Sequence, residues 1–122
     1  MVILDTNMIL RYLLNDNPTM AEYAQQAIQN GRVRVTLEVI AEVVYVLGGV
    51  YSASRQDIRK SLCTFLEEVD VEEKDVLRCA LNTYASQNLD FVDCVLYAYH
   101  QVYGHSILTF DKKLNKLLNA EG

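Results

Sequence analysis

The chain has 122 residues, 51% apolar and 22% charged, which is the composition of one globular domain, residues 1–122, rather than of a disordered segment. Its net charge of -5, from 16 acids against 11 bases, excludes passive capture of nucleic acid on a broad basic face. It leaves room for an enzyme that meets a phosphodiester through a bound cation. The longest apolar run, residues 43–51, is too short to span a bilayer and contains Gly48-Gly49. No basic stretch followed by an apolar one opens the chain, and Asp5 falls where such a leader needs apolar residues, so no membrane is expected. Cys63, Cys79 and Cys94 form no CxxC pair and fall in helical patterns. Reduced, packed thiols in the cytoplasm are therefore expected.

Val2, Ile3 and Leu4 read as a short strand buried on both faces, as inside a parallel sheet. Asp5, Thr6 and Asn7 follow it, then a short apolar helix over residues 8–14. Asn17-Pro18 predicts a fresh helix with Asn17 at the cap and Pro18 at the first helical position, stopping at Asn30-Gly31. Residues 32–35 predict a second strand, Thr36 a cap, and residues 37–47 a helix ending at Gly48-Gly49. Ser54 and Asp57 form a capping-box-like start for a helix with Ile58, Leu62, Phe65 and Leu66 on one face. A weak third strand at 69–71 precedes a helix over 73–86, whose apolar residues follow a 3.6 period. Asp90 opens the next helix, which runs to about Tyr103 and closes at Gly104. Residues 106–109 predict a fourth strand, and Leu114, Leu117 and Leu118 a final helix. Short strands separated by long helical stretches imply an α/β fold with a parallel sheet covered on both faces. The tail from Asn119 is too polar to add a fifth strand, so four strands are expected.

Four acids stand where they could face one site. Asp5 follows strand one, at the sheet rim where open α/β folds build their sites. Glu42 lies in an otherwise apolar helix with no Lys or Arg to pair it, and Glu38 lies four residues before it. Asp93 is in the first turn of the helix begun by Asp90, and Asp111 lies just past the expected fourth strand. Plainer readings compete: Asp5, Thr6 or Asn7 merely caps the next helix, Asp111 caps the last one, and Asp93 is the third-position acid of a capping box, while Glu42 is harder to dismiss. Two carboxylates ~4 Å apart repel by ~1 kcal/mol in water and ~4 kcal/mol at an effective dielectric of ~20. Four of them together would take up much of a typical stability of about 5–15 kcal/mol. They must be apart, partly protonated or neutralised by a cation, and an all-oxygen set selects Mg²⁺ or Mn²⁺. His100 and His105 read as solvated or structural.

Taken together, LDTN at residues 4–7, IAEVVYVL around Glu42, LDFVDCVLYAY around Asp93 and ILTFDKKL around Asp111 resemble a PIN domain. The likeness covers essentially the whole chain. It is strongest to the small VapC-like branch, the ribonuclease toxins of bacterial and archaeal toxin–antitoxin pairs. The resemblance implies a three-layer α/β/α sandwich, with a central parallel sheet of four strands, or five where a C-terminal strand is added. It implies an endoribonuclease dependent on Mg²⁺ or Mn²⁺, with 5′-phosphate and 3′-hydroxyl products. The acids Asp5, Glu42, Asp93 and Asp111 would hold one or two ions that activate water and stabilise the leaving oxygen. Thr6, Asn7 and Thr109 match the small polar residues that hold carboxylates or water in place. The roles of Asp90 and Glu38 stay open. Asp5 is expected to leave the central strand. Arg11 would steer a phosphate or an inhibitor carboxylate, and Lys112, Lys113 and Lys116 form a second basic cluster, which binds substrate (Lys112 foremost) or is merely solvated. A homodimer and a cognate antitoxin are implied as partners.

Two other classes compete. A phosphoaspartyl phosphatase of haloacid-dehalogenase type also places an aspartate after strand one, but it needs a second acid where this chain has Asn7. A PIN-like scaffold that binds protein without catalysis would show a broken acidic quartet, and this one is whole.

Overall fold

In a computed structural model, which describes residues 1–120, the first helix starts on the carboxylate of Asp5. Asp5 Oδ1 accepts from the Met8 N–H at 2.8 Å, satisfying one of the donors that a helix start leaves bare. The helix, α1, therefore runs Thr6–Leu14, two residues earlier than its apolar pattern suggests. Asn15 ends it in the left-handed region at φ 51°. Asn17 caps α2 (Pro18–Gln29), with Pro18 in the first turn, and Thr36 caps α3 (Leu37–Gly49). Ser54 caps α4 (Arg55–Leu66) by accepting from the Asp57 N–H.

Chain contacts gather into two compact units, Met1–Glu72 and Glu73–Gly122. The first holds those four helices and three strands, β1 (Val2–Ile3), β2 (Val33–Val35) and β3 (Asp70–Val71). All pairings are parallel and the order is β1-β2-β3, with Val2 opposite Val33 and Arg34 opposite Asp70. Each parallel step is bridged by two helices, as parallel neighbours require a long crossover. Arg34 reinforces the β2–β3 pairing by binding Asp70 at 2.5 Å and Glu72 at 3.3 Å. Ile9, Ala24, Val35, Ile40, Val43, Leu62, Phe65 and Leu66 form the fully buried interior.

The second unit contains α5 (Lys74–Ser86), α6 (Phe91–Tyr103) and α7 (Lys112–Ala120). Val76, Leu77, Ala80 and Leu81 of α5 are buried, as are Cys94, Val95 and Ala98 of α6. Tyr84 meets Phe91 edge to face at 5.8 Å. Glu73, in the left-handed region before α5, accepts from the Tyr103 hydroxyl at 2.8 Å and ties the two helices at that end. Leu114 is the buried anchor of α7.

Three expectations about the sheet change. It has three strands among the described residues, not four or five. Residues 106–109 join no ladder, and local bonds hold the end of the segment instead. Thr109 Oγ1 accepts from the Asp111 N–H at 3.0 Å, and the Thr109 carbonyl accepts from Asn115 Nδ2 at 2.8 Å. Leu108 and Phe110 are exposed, so no burial draws the segment into a strand. Consequently β1 is an edge strand and β2 the central one, so Asp5 leaves the edge. Val2 and Ile3 are exposed rather than buried on both faces, and only Leu4 turns inward. Of the tail judged unable to form a fifth strand, Asn119 and Ala120 close α7, and residues 121–122 lie outside the described residues. None of the three cysteines is in a disulfide. No described helix is long and apolar enough to cross a membrane.

Candidate active site

Three acids meet at the start of α6. Asp90 occupies the cap position but its side chain makes no capping bond; only its carbonyl accepts, from the Cys94 N–H at 3.0 Å. The capping-box reading of Asp90 and Asp93 therefore fails, and both carboxylates are available for other work. Asp111 reaches the same place from the other side, its Oδ1 fixed by the Leu114 N–H at 2.8 Å. Asp90, Asp93 and Asp111 line one cavity of about 250 Å³ with Asn88, Leu89, Lys112 and Lys113.

Electrostatics register this grouping. Burial holds the Asp93 carboxyl above its ordinary value, and the charges of Asp111 and then Asp90 raise it further. The negative field at Asp93 is what a cation would relieve, and the donors are all oxygen, the chemistry of Mg²⁺ or Mn²⁺. The donor chemistry suits such an ion. The carboxylates are not a ready-made cage: among the described residues no group of three or more His, Cys, Asp and Glu side chains is already arranged to hold a metal.

The other expected site residues lie in the first unit. Asp5 caps α1 and lines a groove of about 460 Å³ with Leu4, Met8 and Tyr23. Thr6 and Asn7 occupy the first turn of α1. Glu42 and Glu38 are exposed on α3, so water hydrates Glu42 and it does not need the protein partner its apolar neighbours suggested. Arg11 spends its guanidinium on Asp16 at 2.9 Å and the Tyr51 hydroxyl at 3.1 Å; a steering role for it finds no support in these contacts. Thr109 acts on Asp111 through the backbone N–H rather than the carboxylate. His100 Nδ1 lies 2.8 Å from the His105 carbonyl, and the His105 ring packs against Tyr99 and Tyr103, a structural use of both.

Comparison with known proteins gives the family. The PIN-domain family profile matches residues 2–118, nearly the whole chain. The protein belongs to the PIN-domain family. Among curated proteins, it is 29% identical to a VapC ribonuclease of Aquifex aeolicus (strain VF5), over 96% of this chain and 92% of that one. No solved structure matches it significantly. Within this PIN-domain protein, the sequence left the role of Asp90 open and left Lys113, with Lys112 and Lys116, between substrate binding and a solvated face. The unspent cap of Asp90 and the position of Lys113 in the acidic cavity appear only once α6 and α7 are placed.

Proposed function

We propose that this PIN-domain protein is an endoribonuclease that hydrolyses RNA phosphodiesters with Mg²⁺ or Mn²⁺, and that it is the toxin of a toxin–antitoxin pair. The observation that carries the chemistry is the grouping of Asp90, Asp93 and Asp111 in one cavity, with the Asp93 carboxyl raised by burial and by its neighbours' charges. Family membership and the likeness to a VapC ribonuclease supply the substrate class and the toxin role.

A divalent cation at these carboxylates would supply Lewis-acid charge and lower the pKa of an attacking water. Asp93 and Asp111 are its proposed holders in the second unit, and Asp90 is a further oxygen donor. Asp5 and Glu42 are the first-unit residues that the family resemblance assigns to the same work, with Thr6 and Asn7 beside Asp5. Thr109 keeps the Asp111 backbone in register, and Lys112 offsets negative charge at the cavity mouth, where substrate phosphate arrives. A homodimer and a cognate antitoxin complete the proposal.

Cleavage of end-labelled total RNA tests this reading. Cutting should require Mg²⁺ or Mn²⁺, stop with chelator, and fall by at least about 10²-fold in Asp93→Asn and in Asp5→Asn, as loss of electrostatic stabilisation does in other sites. Undiminished cutting in chelator, or by both variants, would remove the assignment and favour the scaffold alternative.

A further inference from the structure

A second cavity of about 370 Å³ adjoins the acidic one in the same unit and shares Asn88, Leu89 and Lys113 with it. Beyond those residues it is lined by Lys116 and Leu117 of α7. The cleft thus runs from an acidic end at Asp93 and Asp111 to a basic end at Lys113 and Lys116. The two lysines are three residues apart, so they lie one above the other on a single helix face. No acid interrupts α7, and neither lysine makes an ion pair among the described residues. Leu89 is buried and Leu117 half-buried, so the cavity has an apolar floor beneath charged walls. Its volume lies near the lower end of the ~300–1,000 Å³ of small-ligand sites.

Accepting the RNA-cleaving reading above, we infer that this basic cavity holds the nucleotide next to the scissile phosphate. Lys113 and Lys116 bind the neighbouring phosphate, Leu89 and Leu117 support the sugar or base, and the Asn88 amide meets a polar edge with a donor or an acceptor. From Asp111 to Lys116 the helix rises about 7.5 Å, which keeps the acidic and basic ends within reach of adjacent phosphates. A cleft with carboxylates at one end and ammonium groups at the other suits a polyanion that meets a cation at one phosphate and the protein at the next. A lysine face that only dissolves the helix needs no cavity between its charges.

Binding of a short labelled single-stranded RNA to the full chain, followed by fluorescence anisotropy in chelator across a range of KCl, tests this. K113A/K116A should bind about tenfold more weakly, with the salt slope shallower by about 1.4, the value for two lost phosphate contacts on a single strand. K113R/K116R should retain both, K60A on α4 should change neither, and the melting of K113A/K116A should match wild type. In cleavage assays KM should rise while kcat stays within about threefold, as for uniform binding. Equal affinity and slope in K113A/K116A, an equal loss in K60A, or no binding by the wild type overturns the subsite. RNA bound with the stated lysine dependence but never cut on adding Mg²⁺ or Mn²⁺ keeps the basic cavity and removes the nuclease reading instead.

Discussion

Asp93, its carboxyl already raised by burial, is raised further by the negative charge of Asp111. The protonated Asp93 is therefore favoured in the folded state over the unfolded one. Its contribution to stability is fully present below the unfolded value, near 3.8, and is lost as pH rises through the raised folded value. In chelator, Asp93→Asn should gain stability over wild type across that window and hold the gain at neutral pH. Adding Mg²⁺ should raise the wild-type melting temperature more than that of the variant. Thermal melts from pH 3 to 8 check this, and parallel curves for the two proteins would contradict it.

Asp5 and Asp111 each carry a structural duty that must be separated from chemistry. Both accept a backbone N–H at 2.8 Å, and asparagine can do the same without the charge. Asp5→Asn and Asp111→Asn should unfold in urea close to wild type yet lose at least about 10²-fold in RNA cleavage. Asp5→Ala and Asp111→Ala should lose a further ~1 kcal/mol of stability with the cap. Asparagine variants as unstable as the alanine ones would show that the carboxylates are needed for folding.

Leu114 anchors the helix whose first turn Asp111 caps. Truncation to alanine should cost about 2–5 kcal/mol as a buried cavity opens. Because α7 also carries Lys113 and Lys116, cleavage should fall along with stability, whereas Leu118→Ala, at a half-buried position, should cost clearly less. Denaturant unfolding of the two variants orders them.

Tyr12 donates its hydroxyl to Glu68 and packs near Phe65 at a ring distance of 5.8 Å. That hydrogen bond, with burial and the Glu68 charge behind it, pushes the phenol up to about 12. Its stabilising contribution is complete below pH 10 and fades as pH rises through about 12. Ultraviolet titration should show a late phenol absent from Tyr12→Phe, and that variant should lose less stability than wild type between pH 10 and 12. An unchanged tyrosine titration would place the Tyr12 hydroxyl in water.

Much of the fold was local information. Asn17-Pro18, Thr36, Ser54 and Gly104 mark helix ends because a cap satisfies donors and acceptors within its own turn, and the apolar spacing in residues 76–85 reports one buried helix face. The acids at 5, 42, 93 and 111 were likewise visible as residue types, and their order along the chain was enough to suggest the family. A strand is different, since it exists only through its neighbour. Residues 106–109 have strand composition, yet Thr109 and Asn115 take up local backbone groups and no ladder forms, which leaves β1 at an edge. Which carboxylates share a field, and whether lysines line a cavity or merely face water, depends on distances across helices far apart in sequence. Cap and strand-end positions placed Asp90, Asp93 and Asp111 at element ends and the apolar pattern put Lys113 on the last helix; only the packing of α6 with α7 put them around one cleft.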